Sequence, residues 1–190
     1  MDRDLNSGFD MENYTSDFGL KNKLYRLVWN ISRLFLLRPF AGRLFKKWRN
    51  GLLRMFGAQL HPTAHIYASV KIWSPRNLKM GAYSTLGPGV DCYNQGKISI
   101  GDNTIISQKT YLCASTHDFE QADFPLICKP IVIGDSVWVA ADAFVGPGVR
   151  IADGAVVGAR AAVFKNVDAW TVVGGNPARV IKKRVIKDYE

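Results

Sequence analysis

The chain has 190 residues, of which 47% are hydrophobic and 22% are charged, and this balance excludes a chain that is disordered throughout. Its formal net charge of +9 is unevenly placed, because Lys and Arg recur between Phe18 and Val90 while Asp and Glu do not occur there. Such a basic block favours an anionic partner, which includes a membrane surface, a phosphorylated substrate and nucleic acid.

Cysteine usage and hydropathy indicate a cytoplasmic protein. Cys92, Cys113 and Cys128 have no spacing typical of a disulfide framework, so they are interpreted as reduced thiols. The polar, acidic N-terminus does not resemble a secretory signal. No apolar run reaches the ~20 residues that a membrane-spanning helix needs.

The first part of the chain predicts an arm followed by helices. Residues 1–19 are polar and aperiodic, and they are predicted to form a mobile N-terminal arm. In residues 20–57, apolar residues recur at steps of three and four with basic residues between them, which predicts a basic amphipathic helical extension. Pro39 must end or kink the first helix, and Gly57 is placed to cap the second.

From Leu60 onward the apolar residues recur at every sixth position instead. The series has short slips and one long interruption, and it comprises Leu60, Ile66, Ile72, Met80, Leu86, Cys92, Ile100, Ile106, Leu112, Ile133, Val139, Val145, Ile151, Val157 and Val163. A small or β-branched residue follows many of these four positions later, and glycine often follows directly. Neither a helix nor a hairpin has a period of six, so the pattern predicts a repeat architecture.

A period of six is explained by a short strand followed by a corner. Alternate side chains of a strand share one face, so the large residue and the small residue of each unit both point inward. Three units close one triangular coil, and coils stack at the usual strand spacing of ~4.8 Å. Residues 58–175 are therefore predicted to form an all-β solenoid, a parallel β-helix. Residues 176–190 are predicted to form a short C-terminal helical tail. Periodicity does not fix the handedness.

Four segments resemble one known family. They are IGDNTIIS, the histidine in ASTHDF, the tetrapeptide VWVA and the closing GGNPARVIKK. Over roughly residues 60–184 the chain resembles the hexapeptide-repeat acyltransferases, especially the colanic-acid-type O-acetyltransferases and the galactoside and maltose acetyltransferase group. The resemblance implies a left-handed β-helix and an acetyl group moved from acetyl-CoA to a saccharide hydroxyl in surface-glycan biosynthesis. It also implies a homotrimer with its sites between subunits.

Histidine is the natural base for such a reaction, since its neutral nitrogen is available near neutral pH, and no metal is chemically necessary. His61 and His65 lie at the start of the repeats, whereas His117 lies where the repeat breaks, before a loop over residues 118–130. Taken alone, His117 is more often a surface or structural residue than a catalyst. The resemblance implies that it is the general base.

The resemblance also implies residues for the acceptor. Asn94 matches a position that holds the acceptor near the histidine, although Asn-Gln-Gly is equally typical of a turn. Asp91 is a further possible contact with the acceptor. Trp138 precedes an inward residue and should face outward, where the family places it beside the histidine and the pantetheine arm of the cofactor.

For coenzyme A, the resemblance implies a wall of backbone amides at Ala141 and Ala159. It implies that Lys165, Arg179 and Lys182 approach the nucleotide end. For the two last cations, a solvated basic tail is the alternative interpretation.

Several alternatives stay open. The acceptor could be a non-sugar small molecule such as an antibiotic, and the chain could be a non-catalytic β-helix interaction module. A zinc carbonic anhydrase on this scaffold is disfavoured, because three converging histidines are needed and only His117 lies in the right part of the repeats. Nucleic-acid binding rests on charge alone, without a motif. The helical extension could cap the solenoid, contact an anionic membrane peripherally through residues 20–56, or do both.

Overall fold

The structure is a computed structural model, and it describes residues 18–187. Of the predicted N-terminal arm, residues 1–17 lie outside the described residues. Phe18 packs against Trp73 of the solenoid, with ring centroids 4.9 Å apart.

Two helices precede the solenoid. Helix α1 (Leu20–Ser32) continues as a π-helical turn over Arg33–Leu37 and ends before Pro39, which has no amide hydrogen to continue the hydrogen bonding. A 3₁₀ turn over Arg43–Phe45 leads into helix α2 (Lys46–Met55). Gly57 follows with a φ of +90°, the left-handed conformation typical of a glycine C-cap.

Short strands make up the rest of the described chain. In order they are β1 (Gln59–Leu60), β2 (His65–Ile66), β3 (Lys71–Ile72), β4 (Leu78–Met80), β5 (Thr85–Leu86), β6 (Asp91–Tyr93), β7 (Ile98–Ile100), β8 (Ile105–Ile106), β9 (Tyr111–Cys113), β10 (Ser115–His117), β11 (Leu126–Cys128), β12 (Ile131–Ile133), β13 (Trp138–Val139), β14 (Phe144–Val145), β15 (Arg150–Ile151), β16 (Val156–Val157), β17 (Ala162–Val163), β18 (Thr171–Gly174) and β19 (Arg179–Lys183). A 3₁₀ turn over Pro75–Asn77 accounts for the first slip in the six-residue period.

Apart from β10, β11 and β19, which pair antiparallel, the strands form three parallel sheets, which are the three faces of a prism. Sheet A has the order β1-β4-β7-β12-β15, sheet B has the order β19-β18-β16-β13-β8-β5-β2, and sheet C has the order β17-β14-β9-β6-β3. The chain visits A, B and C in turn, so each circuit is one coil stacked on the previous one. The parallel β-solenoid predicted from the six-residue period is confirmed.

The core is the inward series of the repeat. Every residue of that series is at most 8% exposed, and each small residue four positions later is also buried. Burial of one large aliphatic side chain contributes about 1.5–3 kcal/mol, so the stack of coils is held mainly by this column. Polar residues among these inward positions form hydrogen bonds inside the solenoid. For example, the Thr104 hydroxyl donates to the Gly134 carbonyl at 2.7 Å.

One corner of the prism is built by aspartates that bond from coil to coil. The Asp102 carboxylate accepts the Ala82 N–H at 2.6 Å, and the Asp135 carboxylate accepts the Asp102 N–H at 2.7 Å. Glycine precedes this corner because a Cβ at Gly134 would overlap the carboxylate of Asp153 in the next coil. Close approach, and not an unusual dihedral, is therefore the reason for glycine at these corners.

The C-terminal helix predicted for residues 176–190 is wrong for the residues described there. Residues 179–183 form β19, which pairs antiparallel with β18. The last coil leaves the N–H and C=O groups of β18 unpaired, and a returning strand satisfies them. Val180 and Ile181 suit a strand. Residues 188–190 of that prediction lie outside the described part of the chain.

The helical extension covers the first coil. The indole N–H of Trp29 donates to the Ile72 carbonyl at 2.8 Å, and the Asn50 amide donates to the Ala64 carbonyl at 2.8 Å. These bonds satisfy carbonyls that have no preceding coil to pair with. Within residues 18–187, no helix combines the length and the apolar character needed to cross a bilayer.

Candidate active site

A hairpin interrupts the solenoid between sheets C and A. The chain leaves after β9, forms the antiparallel pair β10–β11 and returns into β12, with Ser115 opposite Cys128 and His117 opposite Leu126. At its base the Lys129 N–H donates to the Ala114 carbonyl at 3.0 Å. A Cβ at Gly96 would lie 2.6 Å from that carbonyl oxygen, so this position requires glycine.

His117 ends the first strand of this hairpin, and its side chain is exposed. Its Nδ1 lies 2.5 Å from the carbonyl oxygen of Phe124, across the hairpin loop. A carbonyl can only accept, so Nδ1 carries the hydrogen of the neutral ring. Nε2 is then the nitrogen that carries the basic lone pair. This is the tautomer that a general base needs.

The loop after His117 is held by its own side chains. The Asp118 carboxylate accepts the Gln121 side-chain amide at 2.7 Å and the Glu120 N–H at 3.1 Å. These two bonds hold the pKa of Asp118 below its usual value. The Asp118 N–H donates to the Pro125 carbonyl, which fixes the loop end beside Phe124.

Trp138 begins β13 and faces outward, as its position in the repeat predicts, with 48% of its surface exposed. Its indole N–H donates to the Ser107 hydroxyl at 3.0 Å, which orients the ring on the face of sheet B. The hairpin leaves from the corner between sheets C and A. Within one chain, His117 and Trp138 therefore belong to different sides of the prism.

The acceptor role predicted for Asn94 needs correction. The side chain is fully buried, its oxygen accepts the Ser74 N–H at 3.0 Å, and its amide nitrogen donates to the Ser74 carbonyl at 2.6 Å. Both polar ends join one coil to the preceding one, and complete burial of the side chain keeps an acceptor alcohol from reaching it. The alternative interpretation, a turn residue, is not what these contacts show either, since they link residues twenty positions apart in successive coils.

Asp91 remains accessible. It lies in β6 opposite Tyr111 of β9, the strand that leads into the hairpin. Its carboxylate is 3.5 Å from the ammonium group of Lys71, and the pair is solvent-exposed, so it contributes little to stability. The predicted contact with an acceptor stays a prediction.

The residues predicted for coenzyme A are only partly brought together. Ala141 and Ala159 stack at the corner between sheets B and C, where the Arg160 N–H donates to the Ala141 carbonyl at 2.9 Å. Arg179 pairs with Gly174 at the same end of β18, whereas Lys182 pairs with Val172 farther along that strand. Lys165 follows β17, at the opposite end of sheet C from this corner. Arg179 is therefore the predicted cation nearest to the alanine wall.

An aromatic column on the outer face of sheet C was missed at the sequence level. Ring centroids are 6.1 Å apart for Tyr93 and Tyr111, 5.6 Å for Tyr111 and Phe144, and 5.5 Å for Phe144 and Phe164. The available signal was that each aromatic residue directly flanks an inward residue of the repeat. The column lies on the sheet from which the hairpin departs.

Metal binding finds no support in the described part of the chain. Among residues 18–187, no group of three His, Cys, Asp or Glu side chains is placed to hold a metal ion. The zinc alternative therefore has no ligand set here.

Comparisons with known proteins agree on one family. The pattern of the bacterial hexapeptide transferases, with six repeats, matches residues 130–165. The colanic acid biosynthesis acetyltransferase WcaF of Escherichia coli is 49% identical over 161 residues, which cover 84% of this chain and 87% of WcaF.

Solved structures share the fold. The hexapeptide-repeat acetyltransferase VCA0836 of Vibrio cholerae is 26% identical with a TM-score of 0.77, covering 87% of this chain and 93% of that one. The same protein has been solved with acetyl coenzyme A, at a TM-score of 0.71 and with 90% and 93% coverage. A maltose O-acetyltransferase of Clostridium difficile, 24% identical, has a TM-score of 0.74 and covers 88% of this chain and 90% of that one.

The six-residue period, the three stacked sheets and the extensive identity to WcaF lead to one assignment: the chain belongs to the hexapeptide-repeat transferases with a left-handed β-helix fold.

Proposed function

We propose that this protein transfers the acetyl group of acetyl-CoA to a hydroxyl of a saccharide in the biosynthesis of a surface glycan, with His117 as the general base. The observation that carries the proposal is the bond from His117 Nδ1 to the Phe124 carbonyl, which leaves Nε2 as the basic nitrogen on an exposed hairpin. Its relatives are acetyltransferases, and one of them has been solved with acetyl-CoA, which supports an acyl-CoA-dependent acetyltransferase.

The reaction needs one proton acceptor and one proton donor. Nε2 of His117 takes the hydroxyl proton while the alcohol oxygen attacks the thioester carbonyl carbon, which gives a tetrahedral oxyanion. When the carbon–sulfur bond breaks, the imidazolium returns that proton to the departing thiolate. The products are the acetyl ester and coenzyme A. The Phe124 carbonyl accepts from Nδ1–H throughout, so the ring stays in the useful tautomer.

Coenzyme A fits the corner between sheets B and C in this proposal. The alanines there are small, so the backbone of two successive coils is accessible to a pantetheine arm. Arg179 supplies a cation for the phosphate groups at the same corner. Lys165 and Lys182 can contact the nucleotide end of coenzyme A only if that end of the cofactor extends away from this corner.

A site that includes both His117 and Trp138 requires more than one chain, because the two residues lie on different sides of one prism. This separation supports a homotrimer in which the hairpin of one subunit meets sheet B of the next. The aromatic column of sheet C, beside the hairpin, offers an apolar face for that contact.

The helical extension supports a peripheral position on an anionic membrane at its cytoplasmic face. The apolar stripe of the extension points away from the solenoid, and each member is at least 48% exposed: Leu20, Leu24, Leu27, Val28, Ile31, Leu34 and Phe35. Capping of the first coil uses a different side, with Trp29 and Leu37. A large exposed apolar stripe on a basic element without carboxylates matches a helix that lies in a membrane interface.

The acceptor class is tested by measuring thiol release from acetyl-CoA with a panel of sugars, nucleotide sugars and, as non-sugar alcohols, chloramphenicol and serine. We expect turnover with a saccharide and none without an acceptor. Turnover with chloramphenicol alone would replace the saccharide in this proposal. An absence of turnover with every acceptor, in a protein shown to bind acetyl-CoA, would favour the non-catalytic alternative.

A further inference from the structure

We propose that the groove between helix α2 and the first strands of sheet B binds the phosphate or diphosphate group of an anionic ligand. The groove has a volume of about 590 Å³, and three cations line one side of it: Arg43, Lys46 and Arg49. His65 and Thr85 line the other side, so the groove combines positive charge with hydrogen-bonding groups.

The groove is built by fixed parts of the fold. Arg49 is only 1% exposed, and its guanidinium donates to the carbonyls of Ile66 at 3.1 Å, Phe40 at 2.7 Å and Gly42 at 2.8 Å. Lys46 donates to the Thr63 carbonyl at 2.8 Å. These contacts tie the helical side of the groove to the first coil of the solenoid, so Lys46 and Arg49 are positioned before any ligand binds.

The charge of these cations is not neutralised within the described chain. The hydrogen-bond partners of Lys46 and Arg49 are neutral carbonyls, and no Asp or Glu occurs anywhere between Phe18 and Val90. In residues 18–187, none of the three cations has a carboxylate at ion-pair distance. A buried arginine without a counter-charge is costly, and an anion in the groove would offset that cost.

His65 reports the electrostatic environment of the groove. Burial, followed by the charges of Lys46, Arg49 and Arg43, holds the pKa of its imidazole below the usual value. The His65 ring packs edge-on against Tyr67, at a centroid distance of 4.7 Å, on the side of the groove that faces the cations. The neutral imidazole is thus a hydrogen-bonding group there, while the cations supply the charge.

Phosphate fits this set of groups better than a single carboxylate does. The fork of a guanidinium matches the oxygens of a phosphate, and an ammonium supplies a second charge. Tyr67 and Thr85 add hydroxyl donors on the side of the groove that faces the three cations. The groove is also a local concavity and not a long basic track, so it suits one head group and not a polymer.

The groove is separate from the corner proposed for coenzyme A, because it is lined by residues of β2 and β5, whereas Ala141 and Ala159 follow β13 and β16. Thr85, Ile105 and Trp138 are successive partners across β5, β8 and β13, so Thr85 and Trp138 are about 10 Å apart at the usual strand spacing. A ligand anchored in the groove can therefore extend over Ile105, which is 49% exposed, toward Trp138. A free sugar phosphate and the phosphate of a lipid both have the required chemistry.

The test is calorimetric binding of four probes to the full chain: glucose 1-phosphate, UDP-glucose, pyrophosphate and dihexanoyl phosphatidic acid. The test variants are Arg43→Gln and the double variant Arg43→Gln/Lys46→Gln, and the matched control is Lys47→Gln, an exposed lysine of α2 outside the groove. We expect the double variant to weaken binding at least tenfold, with Lys47→Gln unchanged. The His65 ring signals should shift on titration in the unmodified chain.

The four probes also identify the source of the phosphate. Preference for glucose 1-phosphate or UDP-glucose assigns the groove to a water-soluble ligand, and preference for phosphatidic acid assigns it to a lipid. The proposal is overturned if no probe binds, or if Lys47→Gln weakens binding as much as the groove variants. It is also overturned if the groove variants raise the KM for acetyl-CoA and leave probe binding intact, because the cations then serve the cofactor. Arg43→Gln alone keeps the test valid if loss of Lys46 impairs folding.

Discussion

The Nδ1 atom of His117 and the carbonyl oxygen of Phe124 face each other at 2.5 Å across the tip of the β10–β11 hairpin. The contact joins the two ends of the loop over residues 118–124, and it assigns the hydrogen of the neutral imidazole to Nδ1. The conformation of the loop and the tautomer of the His117 imidazole are therefore coupled. A change that opens the loop would also release the ring.

Replacement of His117 by Ala should lower kcat for acetyl transfer by ~100-fold or more, because the alcohol loses its proton acceptor. Affinity for acetyl-CoA should change little. The matched control is His61→Ala, an exposed histidine at the start of the solenoid whose ring bonds to Thr63. Thiol release and calorimetric binding of acetyl-CoA separate the two effects. Equal activity in the two variants would remove His117 from the mechanism.

If each active site is formed by two subunits, two inactive variants with different defects should complement each other. His117→Ala and Trp138→Ala should each be nearly inactive alone. Random co-assembly of the two variants should restore about a quarter of the sites in a symmetric trimer, because some hairpins then meet an intact Trp138. The assay is thiol release from co-expressed protein, with separately purified and freshly mixed variants as the control. No recovery after co-expression would contradict a site formed from two chains.

Asn94→Ala should act on stability and not on acceptor binding. Both ends of this buried amide bond to Ser74, and the loss of one partner leaves a buried N–H and C=O unpaired, at a cost of about 1–3 kcal/mol. The melting temperature should fall, while the KM for the acceptor stays near that of the unmodified chain. Gln108→Ala, at an exposed side chain, is the control and should melt normally. A raised acceptor KM at normal stability would restore the original prediction for Asn94.

Substitution of glycine by alanine should have opposite effects on thermal stability at two positions. A Cβ at Gly134 would overlap the Asp153 carboxylate, so Gly134→Ala must displace a corner bond between coils and lower the melting temperature. Gly51 lies within α2, and no atom of a neighbouring element lies within 4 Å of the position that an added methyl group would take. Gly51→Ala should therefore stabilise the helix by up to about 1 kcal/mol. The melting temperatures of both variants test this explanation. A normal melting temperature for Gly134→Ala would show that the space beside Asp153 is not the reason for glycine there.

Membrane contact predicts a loss of vesicle binding when the apolar stripe is interrupted. Leu27→Asn/Ile31→Asn should abolish co-sedimentation with vesicles of phosphatidylglycerol, and the unmodified chain should bind those better than phosphatidylcholine vesicles. Val185→Asn is the control, since Val185 is also strongly exposed but lies near the C-terminus. If the variant instead changes the oligomeric state and leaves sedimentation intact, a second copy of the chain covers the stripe.

The repeat was predictable because one physical requirement, an inward side chain in every unit, recurs along the chain. Ile133, Val139 and Val145 are all buried at the expected register. The glycines at positions 81, 101 and 134 directly follow inward residues, but the reason for them, an aspartate carboxylate of the neighbouring coil, is not visible in the local sequence. Contacts between coils join residues about eighteen positions or more apart, and a local pattern does not contain them.

Residues outside the period were harder to assign. The sequence around Asn94 is typical of a turn or of a ligand contact, and it does not reveal the buried link to Ser74 in the preceding coil. The stripe of α1 was predicted, but its direction was not, because amphipathicity does not say whether the apolar side meets the solenoid. Residues 179–183 have no clear helical or strand periodicity. They form a strand because β18 has backbone groups that need a hydrogen-bonding partner, and this is not visible in the local sequence.

Strand β19 also limits how the solenoid can grow. A stack of parallel strands ends in an open row of amides and carbonyls that would accept a strand from another molecule. By folding back, β19 occupies that row in sheet B, and it carries the exposed cations Arg179 and Lys182. Like charges on such an edge repel a second copy, so this short return protects the protein against fibre formation.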